Sequence, residues 1–346
     1  MPASIWRTPW KEFLPKMLSP IIVLVIIFAL AFEFVNGFHD TANAIATSVY
    51  TRALSTRAAI LLAAGMNLIG AMVSERVAAT ISQGLVDVTL EQYVILAALV
   101  GAILWNLFTW WKGIPSSSSH ALIGSLVGAV IVYTRSFRHV IWRAILLKVV
   151  VPLFLSPVLG FLVGFGCLKL TNLLLARRPY GRVNGVFRKL QVFSSAFVAF
   201  SHGNNDAQKT MGIITLSLVT GGLLSPEAGV PLAAKLACAV MMALGTSLGG
   251  WKVMKTMGGG VTKLNPSLGF AAQTSSALII ELMTFLGAPV STTQVITTSI
   301  MGVGSVKRFS AVKWGNAGSI FTAWVVTLPC TMALGALSSL VIGWLA

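Results

Sequence analysis

Two short stretches place carboxylates where the surrounding sequence is hydrocarbon. The first, Asn36-Gly-Phe-His39-Asp40-Thr-Ala-Asn43, closes an apolar run from Ile21 to Phe38 in which Glu33 and Asn36 are the only polar residues; the second is His202-Gly-Asn204-Asn205-Asp206-Ala-Gln208-Lys209. A carboxylate in such a setting is costly unless it binds a cation, carries a proton or joins an internal ion pair, so Asp40 and Asp206 are functional candidates by default. On a helix Glu33, Asn36, Asp40, Asn43 and Thr47 fall on one stripe, and His202, Asp206 and Lys209 repeat its middle part. Asn43, Asn204 and Asn205, with Asn36 and His39 alongside, supply neutral donors beside the carboxylates. Together they form a hard set suited to a coupling cation, sodium or magnesium, at Asp40 and Asp206. The plainer alternative is a buried pair of Asp206 with Lys209. Lys209, with Gln208 next to it, serves equally as counter-ion to an anionic substrate.

A second duplicated element is rich in hydroxyls: Gly113-Ile-Pro115-Ser116-Ser117-Ser118-Ser119-His120 and Gly287-Ala-Pro289-Val290-Ser291-Thr292-Thr293-Gln294. Gly-x-Pro breaks the chain, Ser and Thr cap a new helix, and the free N–H groups of such a start attract an anion. Two opposed starts would clasp one tetrahedral oxyanion from both sides. Used singly, a membrane hydroxyl more commonly caps its helix or bonds a neighbouring one. That reading can hold for individual hydroxyls but does not account for a whole element that recurs. His39 and His120 belong to the first copy, and Asn205 and Gln294 stand in their places in the second; a proton relay and a plain hydrogen-bonded histidine both remain open.

These elements order the chain into two copies of one unit. Asp40 and Asp206 lie 166 positions apart, the Gly-x-Pro elements 174 apart, and Phe137, Trp142 and Pro157 precede Phe309, Trp314 and Pro329 by 172. The units are residues 1–176 and 190–346. They are joined by a basic linker at 177–189 that holds Arg177, Arg178, Arg182, Arg188 and Lys189 and is cytoplasmic by the positive-inside rule. In each unit a first helix ends in or is broken by the Asp motif. A second helix is predicted at 57–74 or 230–249 and a third at 92–111 or 266–286, followed by the hydroxyl hairpin. An odd number of crossings per unit makes the two copies inverted, the arrangement in which substrate sits at the bilayer midplane.

Composition sets the medium. With 56% hydrophobic and 10% charged residues in a chain of 346 and a mean hydropathy of +0.85, this is an all-α polytopic membrane protein and not a soluble domain. Its apolar stretches suffice for roughly ten to twelve full or partial crossings. The net charge of +16 comes from Lys and Arg spread over short loops, which reads as membrane-surface anchoring and excludes nucleic acid as a partner. Trp110 and Trp111 beside Lys112 are interface anchors. The three cysteines, Cys167, Cys238 and Cys330, have no pairing or metal spacing, and a Gly-x4-Gly-Lys-Ser/Thr loop is absent, which argues against an ATP-driven pump. Arg7, Lys11 and Lys16 precede a run too long for a signal peptide, so the first helix is expected to stay uncleaved.

With those residues in view, the chain resembles the inorganic phosphate transporter (PiT) family, of the bacterial low-affinity permease type. The family's duplicated signature, Gly-x-Asn-Asp followed by Ala and Asn, is matched by Gly37-Phe-His-Asp40-Thr-Ala-Asn43 and Gly203-Asn-Asn-Asp206. Its Pro-x-Ser-Thr-Thr-like hairpins are matched at 115–119 and 289–293, and Asn67-Leu-Ile-Gly70, Thr256-Met-Gly258 and Asn265-Pro-Ser267-Leu-Gly269 are similar as well. The resemblance implies two inverted-topology repeats with broken helices and re-entrant hairpins. It further implies a homodimer in the bacterial inner membrane, importing inorganic phosphate by alternating access with protons, sodium or magnesium as a metal-phosphate complex, and with no covalent cofactor. By the same resemblance Ser117, Ser118, Ser119, Ser291, Thr292 and Thr293 hold phosphate, while Asp40, Asn43, Asn205 and Asp206 lie at the centre with the cation. The chain departs from the family at His39, usually Asn, and at Lys209. It also has Asn67 and Gln273 where sodium-coupled members carry Glu, which favours protons or a metal-phosphate complex over sodium. A permease for sulfate or another tetrahedral oxyanion is the alternative. An intramembrane hydrolase is disfavoured because a triad needs unlike partners, whereas every motif here comes twice.

Overall fold

In hydrocarbon only a helix satisfies its own backbone N–H and C=O groups, so each long apolar stretch of this chain becomes one. The computed structural model describes residues 19–248, 254 and 259–345, apart from the side chains of residues 41–43, 180 and 182. The basic N-terminal stretch and the 256–258 segment lie outside the described residues. Helices α1 (Pro20–Tyr50), α2 (Thr56–Ala71), α3 (Arg76–Gln83), α4 (Gln92–Lys112) and α5 (Ser118–Thr134) come from the first unit, with α6 (Trp142–Leu174) closing it. Helices α7 (Tyr180–Thr220), α8 (Leu232–Leu248), α9 (Pro266–Phe285), α10 (Thr292–Ser305) and α11 (Trp314–Leu345) come from the second. Among the described residues the only β-type pairing is an isolated bridge between Val86 and Val140.

Helices α1, α4, α6, α9 and α11 are each long and apolar enough to cross a membrane, α2 and α3 form a pair bent by 65°, a broken span or a re-entrant element, and α5 and α8 are shorter apolar helices. The crossings expected from hydropathy thus divide into full spans, a bent pair and half-length pieces. Helix α7 carries the second motif in its middle and is the most polar of the long helices. Two expectations are corrected. The Asp motifs do not end or break their helices: α1 runs on past Asp40 to Tyr50 and α7 past Asp206 to Thr220. Their polar side chains find partners inside the bundle, so the backbone has no need to unwind. The linker is also shorter as a connection, because α7 already begins at Tyr180 behind Pro179 and residues 180–189 form its first turns.

The two units are interleaved rather than set side by side. Helix α1 packs on α8 and α7 packs on α2, while α5 packs on α11 and α10 on α6. Both hydrophobic cores draw residues from both units, Leu99, Leu122 and Met211 meeting in one, Ile45, Leu168 and Ile296 in the other. The duplicated aromatic corners match in detail: the indole N–H of Trp142 donates to the Phe137 carbonyl at 2.8 Å and that of Trp314 to the Phe309 carbonyl at 2.9 Å. The motif helices cross their partners at glycine. A Cβ on Gly37 would lie 2.5 Å from the Met242 carbonyl oxygen, and one on Gly203 would lie 2.6 Å from the Asn67 Cα. Small residues at such crossings let backbones approach closely where packing, not water, drives helix association.

This geometry makes a contrast that can be measured. Gly203→Val puts a branched side chain into a neighbouring backbone and is expected to cost upward of about 3 kcal/mol, removing the monodisperse peak on size exclusion in detergent. Gly65→Ala, where nothing lies within 4 Å of the added atom, should leave that peak unchanged.

Candidate functional site

Asp40 and Asp206 sit at the centre of this interleaved bundle, 1% and 0% exposed. A buried carboxylate needs hydrogen-bond donors, and the hydroxyl turns supply them. Both turns start the same way: α4 ends at Gly113 with φ of 70° and α9 is followed by Gly287 with φ of 68°, a left-handed conformation that costs glycine little. The chain then reverses into α5 and α10. The first hydroxyl of each set is a helix cap, Ser117 accepting from the His120 N–H at 3.2 Å and Ser291 from the Gln294 N–H at 3.3 Å. For these two the ordinary capping use applies. The second hydroxyl reaches the aspartate of its own unit: Ser118 donates to Asp40 Oδ2 at 2.5 Å and Thr292 to Asp206 Oδ2 at 3.4 Å. The third crosses over. Thr293 donates to Asp40 Oδ1 at 3.1 Å, and Ser119 accepts from the Lys209 ammonium while donating to the Val290 carbonyl at 2.8 Å.

Lys209 is wholly buried and paired with Asp206, Nζ to Oδ1, at 2.6 Å. Its remaining donors go to Ser119 and, at 3.2 Å, to the Val290 carbonyl, so all three ammonium hydrogens are used. On Asp40 the corresponding partner is His39, with Nδ1 2.6 Å from Oδ1. His202 Nε2 stands 3.3 Å from Asp206 Oδ2. One ligand atom each from Asp40, His202 and Asp206 lies within 4.8 Å of the others. The structure therefore brings together Asp40, Asp206, His39, Lys209, Ser118, Ser119, Thr292 and Thr293.

Other candidates stand at the edge. Gln208 faces away from the aspartates: its Oε1 accepts from the N–H groups of Val77 at 2.8 Å and Ala78 at 3.3 Å, capping α3. Asn204 donates to Glu281 at 3.0 Å. Asn205, the counterpart of His39, donates to Thr284 at 2.8 Å and to the Ala288 carbonyl at 3.3 Å. Asn36 is buried beside Glu33, whose carboxylate accepts from Thr210; the side chain of Asn43 lies outside the described residues. His120 and Gln294 are buried behind the turns.

Two participants, Thr109 and Thr284, carried no signal in the sequence, while Asn67 and Gln273, already singled out there, find their partners outside the central cluster. Thr109 sits 3.1 Å from His39 Nε2 and accepts from Ser116 at 2.9 Å; Thr284 does the matching work for Asn205. Each lies three or four residues ahead of its turn glycine, in sequence that reads as plain apolar helix. Asn67 lies 3.1 Å from His202 Nδ1 and donates to Thr246 at 3.0 Å. Gln273 joins a separate neutral layer, donating to Ser48 at 2.7 Å and Ser195 at 2.9 Å.

A buried polar cluster between interleaved repeats, flanked by two hydroxyl turns, is the arrangement of a secondary membrane transporter. Residues 36–181 and 175–335 match the model of the phosphate transporter family. The "probable low-affinity inorganic phosphate transporter" of Bacillus subtilis is 48% identical over 319 residues, 91% of this chain and 95% of that protein. The protein of the same description from Rhizobium meliloti is 45% identical over 320 residues, 92% and 95% of the two chains. A solved structure described as the sodium-dependent phosphate transporter superposes with a TM-score of 0.86 at 26% identity, over 94% of this chain and all of the other. The chain belongs to the phosphate transporter family. It is a multi-pass protein of the bacterial inner membrane that carries inorganic phosphate across the bilayer.

The Asp206–Lys209 pair can be tested by itself. Lys209→Met leaves a buried carboxylate without its cation and should lower stability by about 3 to 5 kcal/mol, read as a large drop in detergent melting temperature. Adding Asp206→Asn in the same chain should restore most of it.

Proposed function

We propose that phosphate is clasped between the two hydroxyl turns, with Ser118, Ser119, Thr292 and Thr293 as donors and Lys209 as its fixed positive charge, while Asp40 and Asp206 bind the coupling cation. The observation that carries this reading is the crossed bonding of the third hydroxyls, which makes the two turns walls of one chamber. Their donors now spend themselves on the aspartates and the Val290 carbonyl. A tetrahedral oxyanion offers the same turns a better set of acceptors, and charge-assisted bonds of this kind are about twice as strong as neutral ones.

Charge counting explains the need for coupling. Two carboxylates and one ammonium leave the chamber one unit negative when the histidines are neutral, and a phosphate monoanion adds another. Carrying that through hydrocarbon unpaired is prohibitive, so a cation must enter with the substrate. The Asp40, His202 and Asp206 atoms offer it a place. Sodium is supported by the description of the solved relative. A proton is supported by the short contact of His39 with Asp40 and by Lys209, which already occupies one oxygen of Asp206.

Units 1–176 and 190–346, read as inverted repeats, provide alternating access: each turn opens towards one side while the other stays closed. The matched corners and crossed packing support this reading, and the family resemblance supports assembly as a homodimer. Sulfate transport has no feature of its own in the chamber to favour it.

Labelled phosphate uptake into proteoliposomes tests the reading. Uptake should rise with an imposed sodium or proton gradient, and the gradient that drives it identifies the cation. Arsenate should compete where sulfate does not. Ser118→Ala and Thr292→Ala should each raise the apparent KM by roughly tenfold, the loss expected for one bond to a charged group. A large effect from one and none from the other would break the shared clasp.

A further inference from the structure

Outside the chamber, the strongest unassigned feature is a pocket of about 430 Å³ at the turn that opens α10, lined by Arg76, Thr80, Lys148 and Gly287 among others. Its two cations come from different helices, and among the described residues neither is paired with a carboxylate. Arg76 spends one N–H on the Phe285 carbonyl at 2.7 Å and lies 4.2 Å from the centre of the Phe285 ring, leaving the rest of its fork free. Lys148 reaches Thr80 Oγ1 at 3.2 Å. It stands in the π-helical segment Leu146–Val150 of α6, and such bulges are frequent at functional sites.

The duplication supplies a control within the same molecule. The matching pocket lies at the other turn, lined by Gly113, Ile114, Pro115, Asn316, Ser319, Ile320 and Ala323. Lys148 and Ile320 are 172 positions apart, the spacing of the aromatic corners. Where one turn has a lysine in front of it, its twin has an isoleucine, and among the described residues every one lining the second pocket is neutral. Fold alone cannot require the lysine, since Ile320 stands in its place at the twin.

We propose that the Arg76–Lys148 pocket is a capture site for a phosphate oxyanion, placed at one mouth of the transport path. This rests on the clasp described above. The wall between pocket and chamber is the turn itself: Gly287 lines the pocket, and the carbonyl of Val290, three residues on, accepts from Lys209 and Ser119 inside. Three residues of extended chain span at most about 10 Å. The pocket is also tied to the moving parts, because Thr80 donates to the Gly287 carbonyl at 2.8 Å and Gln208, next to Lys209, caps α3 just after Arg76. An anion held there raises its local concentration at the turn that must open to admit it.

The test uses the full chain in liposomes of phosphatidylcholine alone and, in parallel, with phosphatidylglycerol added, because a lipid headgroup offers the same phosphate chemistry as the free ion. Initial rates of labelled phosphate uptake are measured from the side on which the pocket opens. In phosphatidylcholine, K148Q and R76Q/K148Q should raise the apparent KM by roughly tenfold with little change in the maximal rate, and the double variant should lose the ionic-strength dependence of the wild type. R76K/K148R should keep most of it. Because Arg76 also braces Phe285, K148Q, which gives up only one bond to Thr80, carries the test if the double variant is poorly folded. An unchanged KM in K148Q beside an active wild type overturns the capture site and leaves the clasp standing. An effect confined to phosphatidylglycerol vesicles also overturns it, by making the pocket a lipid-headgroup site. A wild type without phosphate uptake overturns the clasp and this inference with it.

Discussion

Everything in this structure depends on keeping two carboxylates satisfied in the middle of a hydrophobic bundle. Neither can reach water, and an uncompensated charge there would cost more than the whole molecule can spare. The solution is to bring donors from two distant segments of chain. Asp40 takes hydroxyls from both units and a histidine from its own helix; Asp206 takes an ammonium and a hydroxyl, with His202 Nε2 3.3 Å away. The broken turns exist to aim those hydroxyls. The glycine crossings bring the motif helices close to their partners, and the interleaving of units sets Thr293 of the second turn on Asp40 and Ser119 of the first on Lys209.

The same demand explains why the site can be both closed and reversible. Donors that satisfy aspartates in one condition are the donors an oxyanion would recruit in another, so substrate and cation enter by exchange of partners and not by creation of new charge. Lys209 is the hinge of that exchange, since each of its hydrogens is already committed, to Asp206, Ser119 and the Val290 carbonyl. The two turns are alike in cap, glycine and crossed bond. Among the described residues they differ in what lies outside them, a pair of cations at one and neutral side chains at the other.

Much of this was legible in the chain itself. The 166- and 174-residue spacings exposed the duplication, and Gly-x-Pro followed by hydroxyls located both turns, because glycine, proline and capping residues act through local backbone chemistry. The ends of α2, α4, α8 and α9 fell within a few residues of their predicted positions for the same reason. What misled was the inference that a polar motif must interrupt its helix: α1 and α7 run straight through, since the remedy for a buried Asp40 or Asp206 lies in other helices. Thr109, Thr284 and the α3-capping role of Gln208 were invisible for a related reason. A single threonine or glutamine acquires its role only from the segment that packs against it, and nothing local announces that segment.

One chamber for one anion is the central claim, and calorimetric titration of phosphate into the purified protein measures it directly. Titrated in the K148Q variant, which takes the lysine out of the outer pocket, the chain is predicted to bind a single phosphate, with the heat lost alike in Asp40→Asn and in Asp206→Asn. Two phosphates per chain, each abolished by one substitution and untouched by the other, would contradict it.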